Sequence, residues 1–177
     1  MVSTVVVPCY AQNRSGIPSR DREVLMNGRY FNGEKWYQFK DGAWHDPNSA
    51  DDPSVYCNVN SISGNPFTRD RRSYIVTLTM NPEGGADGRQ QYFLIVFVKV
   101  EGAGKIQQQA RIACSLPIGN DIYKIQGRNL ICITGKEYAS DDPNCCPSLL
   151  DESTYSWDNG KVKLVNTRQI RNPQAQN

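Results

Sequence analysis

The chain has 177 residues, 38% hydrophobic and 21% charged, which is enough for one domain with its own core, too short for two comfortable ones, and incompatible with intrinsic disorder. Twenty Lys and Arg stand against 18 Asp and Glu, a formal charge of +2, so no broad basic face is present for a nucleic-acid backbone or an anionic membrane. The longest uninterrupted apolar run, residues 92–98, falls far short of the roughly 20 residues of a membrane-crossing helix.

Residues 1–11, MVSTVVVPCYA, carry no charged side chain, and the chain turns polar at Gln12-Asn13-Arg14-Ser15. Cys9 and Ala11 stand three and one positions before that boundary, where a signal peptidase wants small residues. Residues 1–11 therefore read as the remnant of an export leader cleaved after Ala11, lacking a basic start and a full-length apolar segment. The competing reading is a strand over residues 3–7 that belongs to the fold. With export, the protein is secreted or periplasmic, with a single β-rich domain over 12–166 and a polar, flexible tail over 167–177.

Residues 19–27 (SRDREVLMN) suit two helical turns, with Ser19 as N-cap, Asp21 and Glu23 in the first turn and Gly28 as the stop. From Arg29 on, the chain reads as short β-runs: Tyr30-Phe31, residues 35–39 and residues 43–45, separated by Asn32-Gly33 and Asp41-Gly42, both strong hairpin signals. A Pro-rich polar loop over 46–53 leads to a strand over 55–59, and a second loop runs to Arg72. Residues 73–80 alternate as a strand. After a Gly-rich turn over 83–88, residues 90–100 are apolar and β-branched, the mark of a central strand covered on both faces. A strand over 105–114 follows, then a hairpin of 121–125 and 129–134 around Gly127-Arg128, and a last hairpin of 153–157 and 161–165 around Asp158-Asn159-Gly160. These elements predict a mainly β fold at the margin of α+β: an antiparallel sheet built from hairpins, with one short N-terminal helix.

Of six cysteines, cleavage after Ala11 leaves Cys57, Cys114, Cys132, Cys145 and Cys146, an odd set that cannot pair completely. Outside the cytoplasm, pairing is expected where geometry allows. Cys114 and Cys132 flank the 121–134 hairpin and are the first choice for a bridge, with Cys57 left as a buried thiol. The adjacent Cys145 and Cys146 admit a bond between neighbours or two bonds diverging to different strands. A zinc site is disfavoured, because Cys145 and Cys146 lack the separation of roughly two to four residues seen in structural sites. The sole imidazole, His45, is also the sole histidine base available to a Cys or Ser nucleophile.

Asp46-Pro47-Asn48 with Asp51-Asp52, and Asp141-Asp142-Pro143-Asn144, gather oxygen ligands of the kind calcium takes, but neither matches a full calcium loop, and turn capping accounts for both. No metal or other cofactor is implied. Six rings fall between Tyr30 and Trp44. Trp36, Tyr37 and Trp44 among them could stack on a sugar, while the competing reading is a small core beneath a hairpin. Arg69-Asp70-Arg71-Arg72 reads as a solvated positive loop.

Residues 141–148, DDPNCCPS, followed by Thr154-Tyr155-Ser156-Trp157-Asp158-Asn159-Gly160-Lys161-Val162, resemble the C-terminal end of the LppP/LprE-like secreted bacterial lipoprotein domains and their cyanobacterial relatives. There a DP-x-CCP segment precedes a Y-x-W/L-x-x-G hairpin. The likeness extends backwards through Leu25-Met26-Asn27-Gly28-Arg29-Tyr30, Phe39-Lys40-Asp41-Gly42, residues 74–85, Gln91-Tyr92-Phe93-Leu94 and Asn129-Leu130-Ile131-Cys132-Ile133, in the order those domains show. The resemblance implies an exported β-rich domain with Cys145 and Cys146 bonded to each other, and it brings no established catalysis. The acidic loop that often precedes the 73–80 strand in relatives is replaced here by Gly64-Asn65-Pro66-Phe67-Thr68-Arg69-Asp70-Arg71-Arg72, so a cation site does not carry over. The expectation is a non-catalytic binding or structural domain of the bacterial cell envelope, whose partner is an envelope protein or a glycan. An envelope hydrolase using carboxylates near Asp141 and Asp142, or Asp51 and Asp52, and a carbohydrate-binding module using Trp36 and Trp44 are the alternatives.

Overall fold

The computed structural model describes residues 16–45, 55–82, 91–102, 104–118, 120–138, 147–158 and 160–173. Its organising feature is a pair of antiparallel strands, β5 (Ser73–Asn81) and β6 (Tyr92–Val100), with Thr77 opposite Ile95. Alternate residues of a strand face opposite sides. Tyr74, Val76, Leu78 and Met80 join Leu94, Val96, Val98 and Val100 on one face, and Ile75, Ile95 and Phe97 lie on the other. A pair apolar on both sides needs a cover on each. β5 is buried along its whole length and is the middle strand of an antiparallel sheet ordered β3 (Ala43–His45), β4 (Tyr56–Gly64), β5, β6, β7 (Ile106–Cys114).

The first face is covered by α1 (Ser19–Met26) and the hairpin of β1 (Arg29–Phe31) and β2 (Trp36–Gln38), which bring Leu25, Tyr30, Tyr37 and Phe39 into the core. The second is covered by a four-stranded sheet ordered β11 (Lys161–Arg171), β10 (Leu149–Asp158), β9 (Asn129–Glu137), β8 (Lys124–Gln126). It sends Leu130, Cys132, Tyr155 and Trp157 against Ile75, Ile95 and Phe97. The fold is mainly β and antiparallel, with a single short helix among the described residues.

Three elements differ from expectation. Ser19 is the first residue of α1 rather than its cap; Pro18 holds that position without a side-chain bond, and Asp21 turns inward instead of facing the helix terminus. β4 continues past residue 59 because its polar residues find partners on β5: Ser61 meets the Thr77 hydroxyl at 2.7 Å and Asn60 the Thr79 hydroxyl at 2.6 Å. β11 runs to Arg171, well into the span expected as a flexible tail from residue 167. Its polar side chains are bonded: the Thr134, Ser153 and Thr167 hydroxyls form a row across β9, β10 and β11 at 2.7 and 2.8 Å, and Arg168 pairs with Glu152 at 2.6 Å. Asn172 then donates to the Pro147 carbonyl at 2.8 Å. Residues 1–11, expected as a leader remnant, lie outside the described residues.

A buried charge holds α1 to the sheet. Asp21 accepts hydrogen bonds from Arg72 Nη2 at 2.9 Å, Arg72 Nε at 3.2 Å and the Tyr74 hydroxyl at 2.7 Å. The Arg72 guanidinium, helped by Tyr74, keeps the Asp21 carboxyl below the usual aspartate range although burial works against the charged form.

Asp21→Asn should lower stability by about 1–3 kcal/mol through loss of charge-assisted bonds, read from urea melts at neutral pH. Because the folded carboxyl titrates below its unfolded value, its contribution is complete above the ordinary aspartate pKa and is lost as pH falls through the lower folded value. Native protein should therefore lose more stability than the variant below about pH 4, and superimposable acid limbs would show that this clasp does not hold the helix.

Candidate functional site

The β1–β2 hairpin sorts its rings by strand alternation. Tyr37 is buried and sits edge-on to Trp44, centroids 4.8 Å apart at 85°; Tyr30 does the same with Phe39 at 5.3 Å and 86°. Trp36, one residue before Tyr37, faces the other way and is 49% exposed. The three rings expected as one sugar platform are thus divided: Tyr37 and Trp44 belong to the core, and Trp36 is alone of the three on the outer face.

On that outer face a ladder of cations and rings is assembled. Phe31 lies opposite Trp36 in the hairpin register, with centroids 5.2 Å apart. The Arg29 guanidinium stands 5.1 Å from the Trp36 centroid, and that of Arg111, from β7, 5.2 Å from the Phe31 centroid. Arg111 Nε donates to the Asn32 carbonyl at 2.9 Å. The turn leaves room for it: Gly33 has φ +121°, and a Cβ there would stand 2.5 Å from Arg111 Nη2. Asn32 Oδ1 shapes the same turn by accepting the Glu34 and Lys35 amides, both at 2.9 Å. The Gln108 side chain joins the hairpin to β7, accepting the Phe31 N–H at 2.9 Å and donating to the Phe31 carbonyl at 3.0 Å.

Neither Arg29 nor Arg111 forms an ion pair with a described residue. A guanidinium stacked on a ring keeps its N–H edge free for an anion, and an exposed indole presents an apolar face to a sugar ring. The ladder therefore combines anion recognition with ring stacking. Arg29 was readable in principle, since it lies two residues from Phe31 on the same strand face. Arg111 was not, because only the tertiary contact between β1 and β7 brings it there.

The cysteines correct the expected bridge. Cys57, Cys114 and Cys132 are all free and buried. Cys114 and Cys132 meet in the core between the two large sheets, and the neighbouring Cys132 together with burial pushes the Cys114 thiol up. β7 and β9 are adjacent here, with the Ser115 N–H donating to the Ile133 carbonyl at 2.7 Å. The two residues meet as core thiols packed across the sandwich, and no disulfide joins them. Burial likewise pushes the Cys57 thiol up, to about 11. Since the thiolate is the reactive form, Cys57 and Cys114 are inert in the folded state, and Cys132 is enclosed at 0% exposure. Cys145, Cys146, Asp141, Asp142, Asp46, Asp51 and Asp52 lie outside the described residues.

Among the described residues no group of three or more His, Cys, Asp or Glu is placed to hold a metal ion, and no helix is long and apolar enough to cross a membrane. No family model, curated protein or solved structure matches the chain.

Two outcomes check this division of roles. Trp36→Ala should change stability by less than about 1 kcal/mol, whereas Tyr37→Ala should cost about 3 kcal/mol in the same urea melts. Equal costs would place Trp36 in the core. Iodoacetamide should label Cys57, Cys114 and Cys132 only after unfolding, as read by peptide mass spectrometry; labelling of Cys114 in native protein would contradict the buried pair.

Proposed function

We propose that the chain is a non-catalytic binding domain acting outside the cytoplasm at the bacterial cell envelope, and that the Arg29, Trp36, Phe31 and Arg111 ladder engages an acidic glycan. The observation that carries the reading is an exposed indole set among guanidinium groups that have ring partners and no carboxylate partner among the described residues. Such a surface takes a saccharide by stacking and its charge by bidentate hydrogen bonding. The charge-free residues 1–11 and the DPNCCPS segment support the extracytoplasmic setting.

Calorimetric titration with polygalacturonate and heparin, with dextran as the neutral control, tests the ligand. Both polyanions should bind, more weakly as salt is raised, and dextran should not. Arg29→Gln combined with Arg111→Gln should weaken binding more than about tenfold. Binding of dextran at the same strength, or unchanged affinity in the double variant, would overturn the glycan reading. For the compartment, intact mass of protein from its native host should begin at Gln12; a mass beginning at Met1 would oppose export.

A further inference from the structure

A second site, sharing no residue with the ladder, lies where four distant segments converge: the loop before β5, Gln109 of β7, Arg128 in the β8–β9 turn, and the tip of the β10–β11 hairpin. They line an open cleft of about 550 Å³, within the range of roughly 300–1,000 Å³ typical of small-molecule sites. One wall is aromatic. Trp157 packs on Phe97 at 4.8 Å between centroids and lies nearly parallel to Phe67, at 6.4 Å and 19°.

The loop that carries Phe67, Arg69 and Asp70 to the cleft is pinned by its own side chains. Asn65 Oδ1 accepts the Phe67 N–H at 3.0 Å, Thr68 Oγ1 the Asp70 N–H at 3.1 Å, and Asp70 Oδ1 the Arg72 N–H at 3.0 Å. Asp70 also pairs with Lys99 at 3.0 Å, so its charge is already neutralised within the wall. What the cleft leaves unused is mainly donors. Arg69 and Arg128 are exposed and make no ion pair or hydrogen bond with a described residue, and the same is true of the Gln109 amide and the Trp157 indole N–H.

We propose that this cleft binds a phosphorylated sugar. Two guanidinium groups match a phosphate monoester, which carries close to two negative charges and accepts the paired N–H bonds that arginine presents. The aromatic wall takes the C–H face of the ring, and the Gln109 amide takes its hydroxyls. A dicarboxylate would satisfy the arginines and leave the aromatic wall without a partner. A neutral sugar would use the wall and leave both charges unmatched.

The chain has three tryptophans, Trp36, Trp44 and Trp157, so ¹⁵N-labelled protein gives three indole N–H signals, with that of Trp157 assigned by Trp157→Phe. Glucose 6-phosphate should move the Trp157 signal saturably and leave the Trp36 signal in place. Inorganic phosphate should bind more weakly, and glucose should have no effect. Arg69→Gln and Arg128→Gln, both at exposed positions, should each weaken glucose 6-phosphate binding at least about tenfold, while an unmoved Trp44 signal reports that the core is intact. The proposal is overturned if glucose 6-phosphate leaves Trp157 unmoved, if glucose shifts it equally, or if the arginine variants bind like the native chain. Because this readout is at Trp157 and the ladder is tested by polyanion calorimetry with variants at Arg29 and Arg111, either site can fail without the other.

Discussion

Asp21 is a carboxylate taken out of water, and much of the molecule is arranged so that it is not left alone there. An unpaired buried charge is costly enough to specify its surroundings, so the Arg72 fork and the Tyr74 hydroxyl are required wherever α1 rests on the sheet. With α1 fixed, the Leu25 carbonyl accepts the Tyr30 hydroxyl at 2.6 Å and the Met26 carbonyl accepts the Gly42 N–H at 2.8 Å. The Gly28 carbonyl then accepts the Phe39 N–H at 2.9 Å. Both ends of the β1–β2 segment are thereby tied to the helix, and the outer face of that hairpin carries the ladder.

The same arginine works in the other direction. Its backbone N–H rests on Asp70, which is paired with Lys99 on β6, and the loop so held carries Phe67 and Arg69 to the cleft. A single ion pair, its carboxylate buried and its guanidinium half-exposed, therefore sits between two surfaces of different chemistry, one built on a hairpin and one on loops. Each is supported by backbone that the clasp keeps in place. The four-residue run Arg69-Asp70-Arg71-Arg72, which looks like one solvated patch, is divided by the fold into a cleft cation, a paired carboxylate, an exposed residue and a half-exposed partner for the buried Asp21.

Most of the architecture was legible in the sequence because burial leaves a periodic trace. β5, β6 and β7, the helix, and the turns at Asp41-Gly42 and Gly127-Arg128 all follow from apolar spacing and left-handed turn residues. Strand length was not legible where polar residues replace the apolar signal. Ser61 in β4 and Thr167 in β11 read as loop until their hydroxyls are seen to pair with neighbours on the adjoining strand. The sites were less legible still. Trp36 could be separated from Tyr37 by alternation alone, but Arg111 reaches Phe31 from the far end of the chain's middle third, and Arg69, Arg128 and Trp157 meet only through the packing of one sheet on another. The cysteines show the same limit: that Cys114 and Cys132 are close follows from the hairpin they flank, whereas their state depends on a contact that sequence spacing does not contain.

β11 lies at the border of its sheet, so among the described residues one side of its backbone has no neighbouring strand within that sheet. Leu164 and Val165 are exposed there at 51% and 57%, and an open strand edge with exposed apolar residues invites a second copy to continue the ladder. Two features oppose it. Val165 is the extra residue of a bulge, since Thr154 faces Asn166 and Tyr155 faces Leu164, which interrupts the regular spacing another strand would need. Lys161, Lys163, Arg168 and Arg171 lie along the same strand, so two copies brought margin to margin would place like charges along the seam. The sheet is thereby made to end where it does, and the chain can expose one edge of a strand of this length without becoming the seed of a fibre.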